Sequence, residues 1–146
     1  MKPEIKSAAI GGIAGTAVMT LMMMFMAPMM TGQSMDIAAM ISGMMGVSYV
    51  VGFIIHVMMG VILFPAIYVY VLYERLPGSN VVKGVILGLI LWIMAAAVVM
   101  PMAGAGFFMS NIGGMMAVMA ALLGHVVYGA LLGGLAGGGE STAASS

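Results

Sequence analysis

The chain has 146 residues, 64% hydrophobic and 5% charged, and its four basic and four acidic side chains cancel at neutral pH. So few charges cannot clothe a soluble domain of this size, and a neutral chain has little to offer a phosphate backbone, so nucleic acid is not an expected partner. The absence of cysteine rules out disulfides, thiolate metal sites, covalently attached c-type haem and thiol nucleophiles.

A mean hydropathy of +1.23 points to one small integral membrane domain with the lipid bilayer as its solvent. A helix needs about 20 apolar residues to cross about 30 Å of hydrocarbon. The opening MKPEIK leads into an apolar run at 7–30 that is too long for a signal-peptide core, so a retained first span is expected there. The stretch QSMDIAAMISGMM follows. Ser34 is placed to cap a short helix, with Asp36 in its first turn, where the helix dipole favours an anion. Met35, Ile37, Met40, Ile41 and Met44 give that helix an apolar side, so it is expected to lie at the outer interface. A second span is expected at 47–73, a turn around Pro77-Gly78 at 74–80, a third span at 81–103 and a fourth at 115–137. The small, polar tail at 138–146 is expected to be disordered.

With four spans, Lys2, Lys6, Arg75 and Lys83 all flank one side and the other side has no Lys or Arg. The positive-inside bias then puts both termini in the cytoplasm, with the chain in the inner membrane.

An internal repeat divides the membrane domain, 1–137, into units at about 7–73 and 81–137. Gly11, Gly15 and Pro28 recur as Gly84, Gly88 and Pro101, each 73 residues on (84−11, 88−15, 101−28). His56-x3-Gly60 recurs as His125-x3-Gly129, 69 residues on (125−56). Each unit holds two spans, so the copies share topology and are expected to be related by a pseudo-twofold along the membrane normal. That fold is all-α, a tandem pair of helical hairpins, and it places His56 and His125 at one depth in the outer half of the membrane.

These are the only two histidines. An imidazole in hydrocarbon is costly unless its nitrogens are held. Each ring can give its N–H to the carbonyl one turn back, on Gly52 or Ala121, and a metal would satisfy the other nitrogen. His56 and His125 are therefore candidate axial ligands of one b-type haem, with Gly52, Gly60, Ala121 and Gly129 leaving room for the flat macrocycle. With both axial positions filled, such a haem would pass electrons as a relay or redox subunit. A plainer reading uses the same residues: small-x3-small spacing also lets membrane helices pack closely, and a histidine there can bond across to Thr16 or Thr20. On that reading the chain is a cofactor-free accessory subunit of a larger, respiratory-type membrane complex, with other subunits or further copies of itself as partners. Against haem, the outer side offers no cation for the propionates.

The sequence has 21 methionines. Met19-x3-Met23 and Met22-x3-Met26 resemble the intramembrane Met-x3-Met of copper transporters, and copper or proton transport is a third expectation. Flexible apolar filling explains most methionines more simply. No phosphate-binding glycine loop and no Ser-His-Asp set is visible. Glu4, Asp36, Glu74 and Glu140 lie outside the spans, so no carboxylate relay is expected and neither is a catalytic activity of the chain's own. Trp92, Tyr49, Tyr68, Tyr70 and Tyr73 read as interface anchors or packing. The MDIAAM segment at 35–40 and the two His-x3-Gly motifs resemble an uncharacterised family of small four-helix bacterial membrane proteins. That resemblance covers most of the chain and implies architecture but no activity.

Overall fold

A computed structural model describes residues 2–137; the tail at 138–146, expected to be disordered, lies outside the described residues. The elements are α1 (Ile5–Thr31), α2 (Ile37–Met45), α3 (Tyr49–Leu72), α4 (Asn80–Met102) and α5 (Gly114–Ala136). All but α2 are long and apolar enough to cross a membrane, and their ends fall within two residues of the expected spans.

Proline sets the fine structure of three of these helices. Pro28, Pro65 and Pro101 each follow a five-residue π turn, at Met22–Met26, Met59–Leu63 and Ala95–Val99. A proline ring clashes with the carbonyl of a preceding turn and brings no N–H, so the helix widens ahead of it. At the end of each π turn the backbone bond reaches back five residues: Ala27 to Met22, Phe64 to Met59, Met100 to Ala95. The next carbonyl in line then has no helical partner. For Met23, the α-helical donor Ala27 is already committed and the π donor would be Pro28. For Gly60, the corresponding residues are Phe64 and Pro65.

Hydrocarbon cannot satisfy such carbonyls, so the protein must. The N–H of Met35, in the loop after α1, donates to Met23 O at 3.2 Å. The Tyr128 hydroxyl of α5 donates to Gly60 O at 2.7 Å. Two prolines thus determine where a loop and a neighbouring helix attach. The 73-residue offset also reappears in the backbone, since the π turns of α1 and α4 differ by that number at both ends (95−22, 99−26).

The hairpins pack in related ways. A methyl group added at Gly60 of α3 would overlap Thr16 of α1, and one at Gly12 would overlap the Gly60 carbonyl. In the second hairpin, Gly84 and Gly88 of α4 meet the backbone of Gly129, Gly133 and His125 on α5. The equivalence is not carried through the whole packing. α5 has a second close neighbour, because Gly11 and Gly15 of α1 lie against Leu132 and Tyr128. With glycines toward α4 and the buried Tyr128 and Leu132 toward α1, α5 is the central helix. Trp92 Nε1 adds a 3.3 Å bond from α4 to Val118 O of α5.

The short helix α2 is capped differently from expectation. Asp36, not Ser34, is its N-cap: Oδ1 accepts from Ala39 N at 3.0 Å. A side-chain cap reaches the N–H three residues on, and Ser34 lies too far upstream to do this for a helix that starts at Ile37. Asp36 Oδ2 also accepts from the Tyr49 hydroxyl at 3.2 Å, which ties α2 to the start of α3. Ala38 and Ile41 are buried, and Gly52 of α3 lies against the Ala38 carbonyl and Ser42. Asp36→Ala is expected to cost about 1 kcal/mol through the lost cap, read as a lower thermal midpoint in detergent, while Ser34→Ala leaves the midpoint unchanged.

The basic residues gather at one end. Lys2 Nζ is 3.9 Å from Glu74 and 5.5 Å from the centre of the Tyr70 ring. Lys83 Nζ donates to Tyr73 O at 2.8 Å and stands over the Tyr73 ring. At that end Tyr68 and Tyr73 both bond Asn80, to its carbonyl and its side chain, joining α3 to α4. These tyrosines are hydrogen-bonded helix joints as well as packing residues.

Candidate functional site

His56 and His125 lie at comparable depth. The Tyr128–Gly60 bond fixes the height of α5 against α3. His56 is four residues before Gly60 and His125 three before Tyr128, so at 1.5 Å per residue each lies about one turn from that bond.

Their rings have different partners. The Thr20 hydroxyl donates to Thr16 O at 2.7 Å, and its oxygen lies 3.0 Å from His56 Nε2. A hydroxyl has one proton. With that proton on Thr16 O, Thr20 accepts, and His56 Nε2 carries the N–H. Nδ1 is then the ring's lone-pair nitrogen. His125 turns back on its own helix instead: Nδ1 donates to Ala121 O at 2.8 Å, which leaves Nε2 with the lone pair. The bond one turn back is therefore found for His125, while His56 uses Thr20 in place of the Gly52 carbonyl.

The small residues around the histidines are covered by the chain itself. Gly52 packs on α2, Gly60 on Thr16, and Gly129 on Gly84 and Gly88. Ala121 is buried, and its carbonyl accepts from His125. A haem plane against these faces would have to displace α1, α2 or α4, and the two rings' free nitrogens are of different kinds, Nδ1 on His56 and Nε2 on His125. In this arrangement the residues do not fit a bis-histidine haem. Among the described residues, no three His, Cys, Asp or Glu side chains gather into a metal-binding group.

The polar side chains instead form a seam between α1 and α3. Asp36 and Tyr49 stand at its mouth, His56 and Thr20 below them, and Thr16 below these. Thr16 Oγ1 is buried with no hydrogen-bond partner, held against Gly60. A small cavity of about 30 Å³ opens beside His56 and is lined by Thr20, Met23, Met24, Met35 and Asp36, among others. Sequence reading singled out His56 and Thr20 but did not bring Met35 or Asp36 to them. The available signal was Pro28, five residues beyond the carbonyl that holds Met35.

Four apolar spans, with a capped helix at one end and basic residues at the other, define a small four-helix integral membrane protein. A family profile for a family of unknown function (DUF6789) matches residues 3–144, nearly the whole chain. The chain belongs to that family. No curated protein and no solved structure matches it.

Proposed function

We propose that the chain is an accessory subunit of a larger membrane assembly, acting through helix packing and not through a bound haem. The observation that carries this reading is the closure of its small-residue faces. Gly52, Gly60 and Gly129 pack on the chain's own helices, and Thr20 holds His56. Outward, α3 presents Val50, Phe53, Ile54, Met58, Ile62 and Leu63, a broad apolar side suited to lipid or another subunit's helix. The basic end faces the cytoplasm of a cell's inner membrane on this proposal, in keeping with the positive-inside bias.

Haem ligation is the second reading, favoured by the one nitrogen that suits it, His125 Nε2. It requires His56 to release Thr20. An absorption spectrum of the chain purified from its own membranes, before and after dithionite, separates the two. The packing reading expects no Soret band and a complex larger than one chain on native sizing in mild detergent. A Soret band abolished by either His56→Ala or His125→Ala would overturn it in favour of haem.

A further inference from the structure

We infer that the cavity beside His56 is a binding site for a soft monovalent metal ion of the Cu(I) class. The cavity lies at the end of the helices away from the basic residues; it shares His56, Thr20 and Phe53 with the faces the subunit reading uses, but ion binding is read separately from the size of the complex.

The donor set decides the chemistry. Met23, Met24, Met35 and His56, which carry three thioethers and an imidazole, are among the residues lining one cavity of about 30 Å³, the volume of a single small ion or water. Thioether sulfur with imidazole nitrogen selects Cu(I) over oxygen-seeking cations. The one carboxylate nearby is already engaged. Asp36 Oδ1 caps α2 and Oδ2 accepts from Tyr49, and one carboxylate alone supplies too few oxygens for a calcium or magnesium shell. Its negative charge at the mouth still favours entry of a cation.

The imidazole is prepared as ligating histidines usually are, with the other ring nitrogen held by a hydrogen bond that fixes the tautomer. Thr20 accepts from Nε2–H because its own proton lies on Thr16 O. Nδ1 keeps its lone pair, and among the described residues no donor reaches it.

Two of the three methionines are fixed in place, unlike the general run of methionines in this chain. Met23 and Met35 are 2% and 5% exposed. The Met35 N–H is bonded to the Met23 carbonyl, the one left without a helical donor ahead of Pro28. Pro28 therefore holds Met35 next to Met23 and both beside His56. Methionines that only fill space need no such backbone tie, and Met29, Met102 and Met115 are widely exposed at 87%, 67% and 72%.

The test uses the full chain in detergent, titrated with Ag(I) as a redox-inert probe and with Cu(I) under a competing chelator. One ion per chain is expected. The Met23→Leu/Met35→Leu double variant keeps side-chain volume while removing both sulfurs. It is expected to weaken binding by more than roughly tenfold with the thermal midpoint retained, as is His56→Leu. Thr20→Val, which removes the acceptor behind the imidazole, is expected to weaken binding by roughly tenfold. X-ray absorption of the bound copper should show sulfur together with nitrogen. Met29→Leu/Met102→Leu serves as the control and should bind as the parent does. The inference is overturned if no stoichiometric ion binds, if the control loses as much affinity as the cavity variant, or if copper shows no nitrogen neighbour.

Discussion

Gly84→Val is expected to destabilise the protein by at least about 3 kcal/mol, the upper end of what overpacking usually costs. The reason is the kind of neighbour it meets. A Cβ at Gly84 runs into the Gly129 carbonyl and the backbone of Gly133, at 2.9 Å for the latter. Backbone in the middle of a packed helix cannot turn aside as a side-chain tip can. The only relief is to push α4 and α5 apart, which strips contact from the rest of the interface, including Gly88 against His125 and Trp92 against Val118. Gly129→Val should do the same from the other side. Reversible unfolding in mixed micelles, followed by Trp92 fluorescence, measures both. Gly43→Ala in α2 is the contrasting case: its Cβ would meet nothing within 4 Å, and alanine in a helix interior should stabilise by about 0.5–1 kcal/mol. A Gly84→Val protein as stable as the parent would mean that α4 and α5 are not in backbone contact.

That interface also shows how far the sequence could be read. Hydropathy set the span ends to within two residues because hydrocarbon thickness imposes length on any apolar helix. The Gly-x3-Gly pairs announced close approach, and close approach is what Gly84, Gly88 and Gly129 make. The sequence did not say what approaches. A helix and a flat ligand make the same demand for missing side chains, so Gly60 and Gly129 were equally consistent with a haem face and with the helix contact found there.

The histidines were ambiguous for a related reason. A buried imidazole signals that its nitrogens need partners without saying which. Thr20 was on the short roster of candidates for His56, yet its selection depended on the rotation of α1 against α3, which Gly12 and Gly60 set through tertiary contact. Asp36 was visible as a helix-start residue, but its exact role turned on where the helix began. Met35 could not be placed beside His56 by periodicity, because it lies in a loop whose position depends on one backbone hydrogen bond.

Tyr128→Phe is expected to cost about 1–3 kcal/mol, the penalty for leaving a buried carbonyl without its donor. The ring stays, with its edge-on contact to Phe64 at 6.2 Å, so only the hydroxyl is lost. The Gly60 carbonyl then lies buried against Gly12 with no donor from its own helix, since Phe64 N–H is bonded to Met59 and Pro65 has no N–H to give. The same logic says where the loss can be repaired. Pro65→Ala restores an N–H to α3. If the π turn persists, residue 65 donates to Gly60; if it relaxes to an α turn, Phe64 does. Either way the carbonyl is satisfied within its own helix, and the tyrosine hydroxyl is no longer needed there. In a Pro65→Ala background, Tyr128→Phe should therefore cost less than about 0.5 kcal/mol, and the difference between the two backgrounds measures the coupling. Equal costs in both would show that Tyr128 does not answer to Pro65, and the link from proline to π turn to interhelical bond would fail with it.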